Sequence, residues 1–507
     1  QDPETIRVAN GDPKLKMELV FRWYLSKSSG FAARDEPKRR TDAQIWCGPC
    51  IGAFNNFTEG SYILDHRVAR EHPSVVDISH ALMEGTCYLQ RLAQIEAGFS
   101  RSEASFLRSL RLPTRFVDSH HDLKDARWKD CDAQYNRWVN DFDFPPLTHD
   151  EKHAKGIQCK RSSARDVFLT GSTGFLGAFV INDLLSRDKE STIIGLARAA
   201  DDSAATARIV ENLKKYNLWK DEYAHRIRGV AGDLENKKCF GMCGGDAQLV
   251  KELMLSCDVI IHNGANINMG LPMGQLENCN IDGVRTTLLL ARMCHLRVVH
   301  ISSLSVFNSR DYCGNHKICY PNPRHLEVDY ARSKWLGEQC ALKASDAGLQ
   351  VHIVRPGIIK CESTTGMCNP TDVSSLTMIG CSTTKCAPDL DIYSEMTQVD
   401  DVAREVCDVV LGESRSFCTH AVSREILSLR ESIEVLNDNG HDIKFVPFDE
   451  WQSNMKATFG TGVDELFSAL TVHHMDGHHF LCESNMKHTG GSGKDSLIRM
   501  LKTLKLF

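Results

Sequence analysis

Long apolar runs are absent from this sequence. None reaches the roughly 18 residues that a helix needs to cross a bilayer, and no signal peptide is recognisable. The chain begins at Gln1 without an initiator Met, so we expect a piece of a longer protein. An excess of positive charge is also absent, because 60 Lys and Arg residues stand against 66 Asp and Glu residues. This balance argues against nucleic acid or an anionic membrane as the main partner, since both attract basic surfaces.

Cysteine is present, but not at the density of a disulfide scaffold. The 20 cysteines are scattered over 507 residues, and several lie inside apolar runs, as Cys257 does. We therefore expect reduced thiols in the core of a cytoplasmic protein. Apolar residues at 42% and charged residues at 25% are typical of a globular chain, and the length predicts two to four domains.

The pattern of the chain changes at Asp166. From there, short apolar runs alternate with helix-like stretches. The apolar runs are DVFLT, TIIGLA, RIRGVAG, DVIIH and RVVHIS. This alternation predicts an α/β fold, with a doubly wound parallel sheet of the Rossmann type covered by helices on both faces.

A glycine-rich turn follows the first predicted strand. Gly171, Gly174 and Gly177 form the pattern G-x-x-G-x-x-G between a strand and a helix. The first glycine permits a tight turn, the second lets the backbone approach a pyrophosphate, and the third lets the helix pack on the sheet. The helix N-terminus would bind the anion, because its free N–H groups and its dipole favour negative charge. We therefore predict a dinucleotide site; the alternative is an ordinary glycine-rich turn.

The end of the second predicted strand bears on the choice of cofactor. An NAD site usually has an acidic residue there, whereas this chain has Arg198, followed in the next helix-like stretch by Arg208. Guanidinium groups suit a 2′-phosphate, so we predict NADPH; the alternative is two solvated arginines. No metal is expected. The predicted cofactor-binding residues are Gly171, Thr173, Gly174, Phe175, Gly177, Arg198, Arg208, Asp233, Leu234, Asn263, Gly264, Ala265, Tyr330 and Lys334.

A Y-x-x-x-K pair follows the fifth predicted strand. Tyr330 and Lys334 would lie on one face of a helix, one turn apart. We expect the ammonium of Lys334 to lower the pKa of Tyr330 and to hold the nicotinamide ribose. Ser303, at the end of the strand, would hydrogen-bond the substrate oxygen. The alternative is a surface pair, but the glycine turn and the strand-end serine favour a catalytic triad.

Several of these segments together resemble one family. TGSTGFLG, GLARA, HNGANIN, ISSLSVF and YARSKWLGEQ are similar to motifs of extended short-chain dehydrogenases. They look most like the thioester reductase (terminal reductase) domains of polyketide and nonribosomal peptide synthases, over residues 166 to about 405. The resemblance implies a cofactor site at Gly171, Gly174, Gly177, Arg198 and Arg208 and a triad of Ser303, Tyr330 and Lys334. Met273 and Gln398 depart from the family pattern and leave the acyl group open.

The resemblance also suggests how the chain is divided. We assign residues 165–360 to the NADPH-binding Rossmann domain and residues 361–507 to a smaller C-terminal substrate-binding lid. As in extended dehydrogenases, some segments after residue 360 are expected to return to the sheet.

The N-terminal piece carries a second resemblance. DPKLKMELVFRWYLSKSSGFA and QIWCGPCIGAFNNFTEGSYI are similar to the C-terminal end of PfaD-type enoyl reductases, which are FMN-dependent synthase subunits. We assign residues 1–110 to this remnant, which lacks the barrel and should have no enoyl reductase activity, and 111–164 to a linker. The WCGPC at 46–50 matches a thioredoxin motif, but its flanking residues do not predict the strand and helix that such a motif needs.

Together the two resemblances imply a function in an acyl-chain synthase. We expect NADPH-dependent release of an acyl thioester from a carrier protein's phosphopantetheine arm as an aldehyde, with reduction to the alcohol left open. The implied partners are the acyl carrier protein and other synthase domains. The alternatives are a dehydrogenase or epimerase acting on a free small molecule, a fatty acyl-CoA reductase, and a structural module that binds NADPH without turnover.

Overall fold

A seven-stranded parallel sheet forms the centre of the described part of the chain. The structure is a computed structural model. It describes residues 134–146, 166–307, 326, 328–390, 392–412, 418–423, 425–463 and 493–507. All of these lie in one of the two units into which the chain divides, the unit formed by Cys131–Lys317 and Pro321–Phe507. The predicted enoyl reductase remnant and its WCGPC motif lie outside the described residues.

The strand order is that of a doubly wound sheet. The strands are β1 (Asp166–Thr170), β2 (Thr192–Ala197), β3 (Ile227–Ala231), β4 (Val259–His262), β5 (Arg297–Ile301), β6 (Val351–Pro356), β7 (Cys386–Pro388), β8 (Tyr393–Glu395), β9 (Cys418–Ala421), β10 (Ile426–Ser428) and β11 (Lys444–Val446). The large sheet has the order β3-β2-β1-β4-β5-β6-β9. The five predicted apolar runs form β1 to β5, and β9 confirms that the chain returns to the sheet after residue 360. The order reverses beside β1, which opens a crevice at the carboxyl ends of β1 and β4.

Helices connect these strands and cover both faces of the sheet. They are α1 (Phe175–Arg187), α2 (Asp202–Lys215), α3 (Ala247–Leu255), α4 (Met273–Glu277), α5 (Gly283–Cys294), α6 (Asp329–Asp346), α7 (Val373–Thr384), α8 (Val399–Leu411), α9 (Leu429–Asp438), α10 (Phe448–Phe459) and α11 (Gly493–Thr503). Side-chain caps begin several of them. Asp201 accepts from the Ala204 N–H at α2, and Ser428 and Glu431 form a capping box at α9.

Two apolar layers lie on the two faces of the large sheet. On one face, α5 and α6 bury Leu288 and Leu336 against strand residues such as Ile260. On the other face, α1 and α8 bury Ile181 and Val406 against the opposite side of the same strands. Because both faces are covered, the central strands are mostly apolar, which is why they appear as apolar runs in the sequence.

A short part of the expected linker is packed into the fold. Trp138 and Phe142 are buried in the layer that contains α6. The Lys343 ammonium on α6 donates to the carbonyl oxygens of Val139 (2.7 Å), Asn140 (2.9 Å) and Phe142 (2.7 Å). The segment 134–146 therefore belongs to the folded unit, because its apolar side chains are buried on α6 and its backbone carbonyls bind a lysine.

A third apolar cluster lies after residue 360, in the region that we call the lid. It joins α7, α9, α10 and α11 around Trp451, which is fully buried, and the lid also contains two small sheets, β7 with β11 and β8 with β10. Among the helices in the described ranges, none has both the length and the apolar character to span a membrane.

Candidate active site

A cavity of about 1040 Å³ opens at the carboxyl ends of the central strands and extends under the lid. It brings together most of the residues predicted from the sequence. Those that line it are Gly171, Thr173, Gly174, Phe175, Arg198, Asp233, Leu234, Asn263, Gly264, Ala265, Ser303, Tyr330 and Lys334. Gly177 and Arg208 do not line it. The site is therefore continuous from the glycine turn to the predicted triad.

The glycine turn is close-packed. Gly171 has a φ of +70°, which favours glycine, and the Gly174 N–H donates to the Gly171 carbonyl at 3.0 Å. A Cβ on Gly177 would lie 2.2 Å from that same carbonyl oxygen, so α1 packs against the turn only because residue 177 has no side chain. The first amides of α1 have no partners within the helix and lie at the cavity, so this cradle fits a dinucleotide pyrophosphate.

The two arginines at the end of β2 have different positions. Arg198 is exposed and lines the cavity. Arg208 lies on α2, and its guanidinium donates to the Arg198 carbonyl oxygen. The nearby acids have other partners, because Asp201 caps α2 and Asp202 accepts from the Ala231 N–H at 2.9 Å. Positive charge therefore dominates where a ribose-binding acid would stand in an NAD site.

Ser303, Tyr330 and Lys334 converge on the cavity next to the end of β5. The Ser303 oxygen accepts from the Ser305 N–H at 3.1 Å, which begins a short 3₁₀ turn. Tyr330 lies in the first turn of α6 and is buried. One turn later, the Lys334 ammonium donates to the Ile301 carbonyl at 2.7 Å. The lysine therefore ties α6 to the strand that carries the serine.

The protonation of Tyr330 differs from the expectation. Burial raises the pKa of Tyr330 to about 12, and the interaction with Ser303 offsets this only in part. Lys334 does not lower this pKa, and its ammonium donates instead to the Ile301 carbonyl. The phenol therefore keeps its proton at neutral pH, which is the form required of a proton donor.

Lys334 itself has a pKa in the mildly alkaline range. Burial lowers the pKa of Lys334 to about 8, while Cys279 and Glu338 act in the opposite direction. Two buried histidines on the neighbouring strands add no charge, because burial lowers the pKa of His262 to about 3 and that of His300 well below its usual value. Lys334 is therefore the group in this part of the site whose charge changes in the mildly alkaline range.

Sequence reasoning missed a buried ion pair beneath the triad. Glu338 lies one turn beyond Lys334, and its side chain is 0% exposed; that of Arg355 on β6 is 3% exposed. The Arg355 Nε–H donates to Glu338 at 3.0 Å, and the Ser302 hydroxyl donates to the same carboxylate at 2.6 Å. The spacing of four residues between Tyr330, Lys334 and Glu338 is visible in the sequence and indicates that Glu338 shares their helix face.

Comparisons with known proteins agree with this fold. Residues 169–406 match an NAD-binding family described as male sterility protein. The terminal reductase domain of the myxalamid polyketide–nonribosomal peptide pathway has 27% identity and a TM-score of 0.61, and the match covers 74% of this chain and 97% of that domain. Fold and matches together define the class of this region: residues 169–406 form an NAD-binding domain with a Rossmann-type fold of the extended short-chain dehydrogenase kind. Within that class, this region is similar to the terminal reductase domain of the myxalamid pathway.

The curated relatives are longer proteins. An aldehyde reductase of Aspergillus flavus is 30% identical over 59% of this chain and 31% of its own length. An L-2-aminoadipate reductase of Saccharomyces cerevisiae is 28% identical over 58% of this chain and 22% of its own length. The chain thus spans less than a third of either relative.

The N-terminal piece has a separate match. Residues 1–43 match the inserted helical domain of acyl-carrier-protein S-malonyltransferase. That description differs from the enoyl reductase we expected for residues 1–110, so the enoyl reductase assignment stays a prediction.

The titration of Lys334 predicts a pH dependence of cofactor binding. We predict that the ammonium holds the nicotinamide ribose, and its charge is lost above about pH 8. We expect the dissociation constant of NADPH, measured by fluorescence titration, to rise between about pH 7 and about pH 9, by up to roughly tenfold per pH unit. Lys334→Met should bind NADPH more weakly and without this rise. An equal rise in the variant would assign the titration to another group.

The buried ion pair predicts an asymmetric effect on stability. Arg355→Met leaves the Glu338 carboxylate buried without its cation and should lower the free energy of unfolding by about 3–5 kcal/mol. The double variant Glu338→Leu with Arg355→Met should regain much of that loss. The control is the exposed pair of Arg430 and Asp389, whose side chains are 53% and 60% exposed. Arg430→Met should cost at most about 1 kcal/mol. Equal losses for Arg355→Met and Arg430→Met in urea unfolding would contradict the assignment.

Proposed function

We propose that this chain reduces an acyl group, held as a thioester on the phosphopantetheine arm of an acyl carrier protein, and releases it as an aldehyde with NADPH as the reductant. One observation carries this proposal: a single cavity runs from the glycine turn, past Ser303 and Tyr330, to Met500 in the lid. The site therefore has room for an acyl chain beyond the position of the reacting carbonyl.

The residues at the reacting carbon have complementary roles in this proposal. NADPH, when bound, supplies the hydride. The Ser303 and Tyr330 hydroxyls hydrogen-bond the carbonyl oxygen, where negative charge develops as the carbon is reduced. Tyr330 then transfers its proton to that oxygen, because burial has kept the phenol protonated. The C–S bond of the resulting hemithioacetal then breaks while its hydroxyl proton passes to the sulfur, which leaves the aldehyde and the free thiol of the carrier.

The choice of a carrier-bound substrate is supported from outside the site. The solved domain with 27% identity comes from a polyketide–nonribosomal peptide pathway. The match of residues 1–43 to a domain of an acyl-carrier-protein transferase is also consistent with a chain that works among carrier-bound intermediates. We infer that the acyl carrier protein and other synthase domains are its partners.

The twelve cysteines described in the structure are free thiols, which supports a cytoplasmic location.

The test of this function is a paired assay of thiol and cofactor. With acyl-pantetheine or acyl-carrier thioesters, the chain should oxidise NADPH and release one thiol per acyl group. The carrier-bound substrate should have the higher kcat/KM, because carrier docking supplies additional binding energy that the transition state can use. Tyr330→Phe should lower kcat by about 10²–10⁴-fold, since it removes the proton donor. Its NADPH affinity should stay close to that of the unmodified chain, because phenylalanine keeps the aromatic ring at this cofactor-binding position and removes only the hydroxyl.

Three outcomes would contradict the proposal. NADPH oxidation on a free ketone or sugar without thiol release would favour a general dehydrogenase. A higher kcat/KM for acyl-CoA than for the carrier thioester would favour a fatty acyl-CoA reductase. NADPH binding without turnover of any thioester would favour a structural module. The ratio of NADPH consumed to thiol released distinguishes the aldehyde from the alcohol, because the second reduction consumes another NADPH.

The preference for NADPH is tested separately. Arg198 and Arg208 supply positive charge at the end of β2, where a 2′-phosphate would lie in a bound cofactor. The double variant Arg198→Ala and Arg208→Ala should weaken NADPH binding by about tenfold or more and change NADH binding little. Arg228→Ala is the matched control, because Arg228 is exposed on the neighbouring strand β3 and does not line the cavity. Equal affinity of the unmodified chain for the two cofactors would contradict the prediction.

A further inference from the structure

The part of the cavity under the lid is lined by both apolar and polar side chains. Its walls include Met378, Ile392, Met396, Leu427, Leu497 and Met500. Two buried charged side chains, Lys360 and Glu395, line the same space. Charged side chains are rarely buried unless another group binds them. Lys360 and Glu395 therefore indicate which chemical group this part of the cavity binds.

Lys360 has unused hydrogen-bonding capacity. It lies in the loop after β6 and is 7% exposed, and its ammonium donates to the Ser374 hydroxyl at 2.5 Å. It forms no ion pair among the described residues, although Asp372 and Glu395 are close enough to act on its charge. An ammonium has three N–H donors, so two remain for a group that enters the cavity.

Glu395 is anchored on one side only. Its Oε1 atom accepts from the Ile358 N–H at 2.7 Å, which fixes the loop that leaves β6 beside the triad. Its Oε2 atom is buried and has no hydrogen-bond partner within the described residues. A buried carboxyl oxygen without a partner is unfavourable, and a ligand that supplied the missing bond would gain from it.

We propose that Lys360 and Glu395 form a subsite for a hydroxyl group on the acyl chain, so that the substrate is a hydroxyacyl thioester. This inference rests on the proposed thioester reduction. A hydroxyl oxygen accepts from the ammonium while its hydrogen is donated to the carboxylate.

Other substituents fit this pair less well. A ketone accepts from Lys360 but donates nothing to Glu395. A carboxylate on the chain would meet the negative charges of Glu395 and Asp372. An unsubstituted alkyl chain satisfies neither group and has to displace any water that hydrates them. The hydroxyl is therefore the simplest group that pairs with both side chains.

The experiment compares acyl-pantetheine thioesters of one chain length. One member is unsubstituted, and the others carry a single hydroxyl at successive carbons. We expect one hydroxy isomer to exceed the unsubstituted chain in kcat/KM by about tenfold or more, because a site built around a hydroxyl discriminates against its absence. In Lys360→Met the ratio should fall to near one, and in Lys360→Arg, which keeps a donor, part of the preference should remain. Lys494→Met, an exposed lysine on the lid that does not line the cavity, should keep the full ratio.

The outcomes separate this inference from the function on which it rests. If no thioester is reduced, the proposed function fails and the subsite falls with it. If thioesters are reduced but the unmodified chain has no preference for any hydroxy isomer, the subsite alone is wrong. That measurement needs no variant, so it decides the question even if Lys360→Met does not fold. A preference that persists unchanged in folded Lys360→Met would also overturn the inference.

Discussion

Buried charged side chains attach α6 to the ends of two strands, and the rest of the site depends on this attachment. Lys334 bonds the last carbonyl of β5, and Glu338 bonds Ser302 just beyond it and Arg355 on β6. Each of these groups loses its hydration on burial, so each needs its partner in place. Hydrogen bonds and an ion pair, which require defined distances and directions, therefore position the helix on the strands together with apolar packing.

Burial then determines the chemistry of the same groups. Burial raises the pKa of Tyr330 to about 12, so the phenol is protonated at neutral pH, and burial lowers the pKa of Lys334 to about 8. The stacked rings of His262 and His300 lie on the strands beside the lysine and remain neutral. A protonated phenol next to a lysine and two neutral histidines is suited to reduction of a carbonyl, where the oxygen must gain a proton.

The lid completes the site from a different part of the chain. Gly357 follows β6, and a Cβ there would lie 2.5 Å from the Glu395 Oε1 atom, so the strand end and the lid are in direct contact. The chain leaves the sheet at β6, builds part of the lid, returns through α8 and β9, and then completes the lid. Sheet and lid are therefore interleaved in sequence, and one cavity is shared between them.

The sequence by itself determined the first five strands of the large sheet, the glycine turn and the Y-x-x-x-K pair. These are local patterns: an apolar run covered on both faces, a turn that requires glycine, and a helical spacing. Periodicity alone could not place 134–146 on α6, because the contact joins segments that are distant in the chain. The same holds for Arg355 and Glu338, which lie on different elements and meet only when the sheet forms.

Only the tertiary structure decided the protonation of the site and the content of the acyl chamber. The sequence predicted a lowered pKa for Tyr330 from the neighbouring lysine, whereas the fold buries the phenol and raises its pKa. Lys360 and Glu395 lie in separate stretches of sequence that carry no recognisable motif. The folding of the lid brings both side chains into the same cavity. Solvation and proximity between distant residues are properties of the folded chain, and for that reason a local pattern could not reveal them.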